Sequence, residues 1–139
     1  MRSVRACAGA AAAAAALAIS VASGACGNKS SGTSPSPSLT CSTLPDARTI
    51  LIANNAVCPQ TLTVPRGSQV TFINNDSREH EMSSDPHPEH TNCPELNQVG
   101  HLAPGQSRQS GNLNVARSCG FHDHINFQSR ALQGTITIQ

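Results

Sequence analysis

Apolar and polar residues alternate in several short runs after residue 48, and the period is two. The run 49–53, TILIA, is β-branched and apolar. In QTLTV, residues 60–64, Leu62 and Val64 fall on one face and Thr61 and Thr63 on the other. QVTFIN at 69–74 pairs Val70 with Phe72, and the closing GTITIQ pairs Ile136 with Ile138. Period-two alternation predicts half-buried strands. Turn residues separate the runs: PRG at 65–67 and NND at 74–76. After residue 25 no window carries apolar residues at helical spacing over a helical length. Many short strands punctuated by Pro and Gly predict an all-β sandwich or barrel, with Val70, Phe72, Ile136 and Ile138 in its core. The stretch 83–96, SSDPHPEHTNCPEL, has three prolines and no period, and reads as a long irregular loop.

The first 25 residues have a different character. Arg2 and Arg5 precede an Ala-rich apolar stretch that exits through small residues, the layout of a secretory signal. A membrane-spanning helix fits less well, because the stretch breaks into Ser and Gly after Val21. SGAC at 23–26 resembles a bacterial lipoprotein cleavage box, although Ser23 stands where an aliphatic residue is usual. Residues 27–38, GNKSSGTSPSPS, contain no large apolar side chain and read as a flexible tether. The expected organisation is a signal at 1–25, a tether at 26–47 that carries lipid on Cys26 and so meets a membrane, and one domain at 48–139. Such a chain is expected at the cell envelope, on the periplasmic or extracellular face, and as a monomer.

Charge narrows the function. Loss of Arg2 and Arg5 leaves seven basic residues against eight acidic ones. Neither a basic patch nor an aromatic ladder points to nucleic acid; Trp and Tyr are absent and the aromatics are Phe72, Phe121 and Phe127. No nucleophile elbow, HExxH or glycine-rich phosphate loop indicates an enzyme.

The candidate chemistry lies in CGFHDH at 119–124 and in His80, just past the strand 69–74. One thiolate and two imidazoles make a borderline-soft set that suits copper better than calcium or magnesium. Zinc prefers a fourth strong ligand, and no CxxC is present.

Three stretches in order resemble the cupredoxins, the blue copper proteins. They are TLTVPRGSQVTFINND followed by His80, LAPGQS at 102–107, and Cys119 with His122 ahead of Leu132, Gly134 and TITI. The resemblance spans about residues 48–139. It implies a Greek-key β-sandwich with one mononuclear copper ion held by His80, Cys119 and His122. It also implies reversible one-electron transfer with redox proteins that dock transiently. Leu132 stands at the usual axial Met position, which implies a three-coordinate ion and a raised potential. A second register uses His124 in place of His122, with Gln128 near the axial place.

Several alternatives stay open. Without Cys26, the cysteines 41, 58, 93 and 119 form an even set, so two disulfides would consume the copper thiolate. If Cys119 binds copper, one disulfide at most forms, with Cys41–Cys58 the preferred pair. Asp85, His87, His90 and Cys93 are a second metal site, a ring of polar residues shaping the mouth of the first, or part of a solvated loop, and His101 reads as a surface or strand residue. Copper handling (storage, delivery or tolerance) is the alternative to an electron carrier.

Overall fold

The computed structural model describes residues 39–139, so the signal, Cys26 and most of the tether lie outside the described residues. Among the described residues, nine strands form two sheets. They are β1 (Thr49–Ala53), β2 (Ala56–Cys58), β3 (Thr61–Val64), β4 (Thr71–Asn74), β5 (His80–Ser84), β6 (Gly100–Leu102), β7 (Ser107–Gln109), β8 (Arg117–Asp123) and β9 (Gln133–Ile138). One sheet has the order β2-β1-β4-β7 and the other β3-β9-β8-β5-β6. The pairs β1–β4 and β3–β9 are parallel, and the remaining neighbours are antiparallel. The β-sandwich expected from the alternating runs is thus present, and each run coincides with a strand to within two residues.

Where a strand has an apolar face, that face turns inward; β7, SRQ, has none and is exposed. Ile50 and Ile52 of β1, Phe72 of β4, Met82 of β5, Phe121 of β8 and Ile136 and Ile138 of β9 join one buried cluster, and Val70 lies in it too. Phe72 and Phe121 meet edge-to-face across the two sheets at 5.3 Å, the geometry their ring quadrupoles favour. Leu51 points to the opposite side of β1. It is nonetheless buried, beside Leu39, Cys41 and Cys58, because the entering chain folds over that face. A Cys41–Cys58 disulfide fixes this arrangement, the pairing preferred from the sequence. Asn54 and Asn55 both take left-handed backbone angles in the two-residue β1–β2 turn, which matches the twist of a tight hairpin.

The irregular stretch leaves β5 at Asp85 and ends in a 3-10 turn at Leu96–Gln98. Its far end is covalently fixed: Cys93 is joined to Cys119 of β8, and both residues are fully buried.

Candidate metal centre

Strand alternation decides which side chains meet. In β5 and β8, Met82 faces Asp123, Ser83 faces His122 and Ser84 faces Phe121. Directly opposed residues share a face, and side chains alternate along each strand. His80, Met82 and Ser84 therefore point inward with Cys119, Phe121 and Asp123. Glu81, Ser83, Gly120 and His122 point to the outer face of the five-stranded sheet, and His124 continues that row.

The expected ligand set His80, Cys119 and His122 is not assembled. Cys119 Sγ is bonded to Cys93 and offers no thiolate. His80 lies on the inner face, fully buried, where its Nδ1–H donates to Asp123 Oδ2 at 2.9 Å and its Nε2 is 3.6 Å from Asp76 Oδ2. Asp123 also accepts from the Glu81 and Ile125 backbone N–H groups and from Asn126 Nδ2. The pair is a buried cross-link between β5 and the end of β8. The axial question lapses with the thiolate, since Leu132 is a core residue and Gln128 is exposed. His101 is exposed, near Glu79.

The outer face gathers a different set. His87 and His90 from the irregular loop meet His122 and His124 from β8 and its extension, one ring nitrogen of each lying within 4.8 Å of the others. Both registers considered for the CGFHDH segment thus contribute an imidazole, and the loop cluster divides among three roles: His87 and His90 join this group, Asp85 supports it, and Cys93 anchors its loop. Asp85 Oδ1 accepts from His122 Nδ1 at 2.7 Å, so His122 presents Nε2 as a lone-pair donor. That Nε2 is buried without a hydrogen-bond partner, as is His87 Nδ1. His124 Nδ1 and His90 Nε2 are 3.1 Å apart. Burial pulls the His90 pKa below the usual 6.5, and the neighbouring imidazoles of His122, His124 and His87 add to this. Neutral imidazole is the form that binds a metal.

The surroundings hold these rings in place. Phe127 stacks on His87 at 4.0 Å with the ring planes 4° apart. Asn97 accepts from the Ser84 N–H through Oδ1 and donates from Nδ2 to the His90 carbonyl, both at 2.8 Å. This clamps His90 at φ +52°, a region disfavoured for residues other than glycine. Gly120 leaves room for Asp85: a Cβ there would strike the Asp85 carboxylate. Asp85, Gly120, Asn97 and Phe127 were not singled out as supports from the sequence. The HxH spacing of His122 and His124 was the available signal, because on a strand it puts both rings on one face.

Metal–imidazole bonds of about 2.0–2.1 Å limit the donors of one ion to roughly 4 Å apart. Inward movement of under about an ångström closes the cluster on an ion. Two buried nitrogens lacking partners, a carboxylate-oriented imidazole and an all-nitrogen donor set fit a borderline metal such as copper. They do not fit a thiolate-bearing blue site.

No protein-family model matches the sequence, and no curated protein does. Solved structures do match the fold. A purple cupredoxin from Nitrosopumilus maritimus is 18% identical, with 66% of this chain and 98% of that chain covered and a TM-score of 0.51. Oxidised plastocyanin from Dryopteris crassirhizoma is 19% identical, covering 66% and 99%, with a TM-score of 0.52. A reduced amicyanin variant is 16% identical, covering 73% and 90%, also at 0.52. The chain has a cupredoxin-like fold.

Proposed function

We propose that this cupredoxin-like domain is a copper-binding protein of the cell envelope, holding one ion through His87, His90, His122 and His124 for storage or delivery. The observation that carries the reading is the convergence of four imidazoles within 4.8 Å, two of them with buried nitrogens that no protein group satisfies. Leaving such groups unpaired costs about 1–3 kcal/mol each, and a bound ion removes the cost. Among divalent first-row ions competing for an all-nitrogen site, copper binds most tightly. When bound, the ion supplies a Lewis-acidic, redox-capable centre. The protein's own part is to orient His122 through Asp85, to order His87 against Phe127 and to hold the loop through Asn97 and the Cys93–Cys119 bond.

Location at the envelope through lipid on Cys26 belongs to this proposal and rests on the sequence alone. One-electron transfer through the same ion is the second reading. Its support is the fold, together with the exposed apolar side chains of Ile125 and Phe127, the latter stacked on a candidate ligand. These offer a surface for transient docking of a redox partner.

Titration of the metal-free protein with copper is the test. The expected result is one equivalent bound, a paramagnetic spectrum with nitrogen hyperfine structure, no intense thiolate band near the red end of the visible range, and loss of binding in His122→Ala. An intense thiolate band, or several weakly held ions unaffected by His122→Ala, would refute it.

A further inference from the structure

The position of every described sulfur bears on which form of copper the cluster takes. We infer that the site selects Cu(II) over Cu(I); the inference rests on the reading that the four imidazoles hold copper. Soft Cu(I) is favoured by thiolate and thioether donors, whereas tetragonal nitrogen and oxygen donors favour Cu(II). Five sulfur-bearing residues lie among the described ones. Cys41 is bonded to Cys58 and Cys93 to Cys119. The fifth, Met82, is buried on the inner face of β5, which alternation turns away from the cluster. On β8 the same alternation sends Cys119 inward and His122 outward. No described sulfur is therefore available to the outer face, although Cys119 is only three residues from a ligand.

Charge acts in the same direction. The Asp85 carboxylate binds the distal nitrogen of His122 at 2.7 Å. A carboxylate on a ligand imidazole raises its basicity, which stabilises the more highly charged ion. Glu81 lies on the same outer face of β5, two positions before Ser83, the residue opposite His122. Four imidazoles, one of them backed by a carboxylate, with no described sulfur on their face, favour the harder ion in a fold whose closing segment carries a cysteine.

The experiment uses the full domain. Cu(II) affinity is measured in air against nitrilotriacetate, Cu(I) affinity under argon against bicinchoninate, and the midpoint potential of the bound ion by voltammetry. Each tenfold preference for Cu(II) places the midpoint about 59 mV below that of the free copper couple; a preference of at least tenfold is expected. His124→Met replaces one nitrogen with a thioether and is expected to erase at least tenfold of that preference. A wild-type midpoint at or above the free couple overturns the inference while leaving copper binding intact. An unchanged midpoint in folded, copper-loaded His124→Met overturns it as well. Failure of both ions to bind wild-type protein removes the copper reading itself, and the preference with it.

Discussion

Replacing Cys93 and Cys119 together by Ala tests the pairing that separates an imidazole site from a thiolate site. The two residues are 26 apart in sequence. Loop-closure entropy for a ring of that size corresponds to about 3.5 kcal/mol at 25 °C. For a domain of roughly 100 residues, that loss lowers Tm by on the order of 15 °C. A similar calculation for Cys41–Cys58, with a separation of 17, gives about 3 kcal/mol. The two double variants should therefore destabilise alike but differ at the metal. Cys93 lies three residues after His90, so its release frees the loop carrying His87 and His90; Cys41–Cys58 is on the other sheet. We expect the Cys93→Ala/Cys119→Ala protein to lose at least tenfold in copper affinity and the Cys41→Ala/Cys58→Ala protein to keep it. The assays are thermal unfolding by circular dichroism without metal, copper titration at a temperature where both variants are folded, and mass mapping of alkylated native protein. A free thiol at Cys119 in native protein, or a Tm change under about 3 °C for its double variant, would defeat the argument.

Three further perturbations have defined outcomes. Gly120→Ala should displace the Asp85 carboxylate, which the new Cβ would strike, and lower copper affinity about 10–100-fold with the fold retained; unchanged affinity in a titration would show that Asp85 is dispensable. His80→Phe leaves Asp123 buried without its imidazole partner and should cost about 3–5 kcal/mol in urea unfolding, yet copper stoichiometry should remain one per chain where the protein is folded. Asp76 is held below the ordinary carboxylate value of 3.8, chiefly by the Asn55 N–H. A lowered native pKa gives stability that is full above the unfolded-state value and is lost as pH falls through the native one. Denaturant titrations in acid should thus show wild type losing more stability than Asp76→Asn, and equal losses would contradict this.

Strands with an apolar face were legible in the sequence: burial of one face imposes period two on β3, β4 and β9, and β1 is a continuous apolar run because both its faces are buried. β5 and β8 read poorly. Their segments, HEMSS and RSCGFHD, mix His80, Ser84 and Asp123 with Met82, Cys119 and Phe121 on the inward face and bury His122 on the outer one, so hydrophobicity alone does not mark which face is inward. The site was misassembled for the same reason. Residues 119 and 122 differ by an odd number, and an extended backbone must send them to opposite faces; only the persistence of β8 to Asp123 makes that rule apply. His87 and His90 were recognised as potential ligands, but their loop has no periodicity. Their meeting with His122 depends on Asn97, on the bond to Cys119 and on the Asn92 N–H donating to the Asp85 carbonyl at 2.9 Å.

The covering of Leu51 by the entering chain has a mechanical consequence. Cys41 binds that chain covalently to β2, on the outer side of the four-stranded sheet, so traction from the N-terminal direction is borne by a covalent bond rather than by peeling a strand. The imidazoles occupy the outer side of the other sheet. Force applied at the point of entry is thus carried on the far side of the sandwich from the cluster, and the arrangement of the four rings is spared.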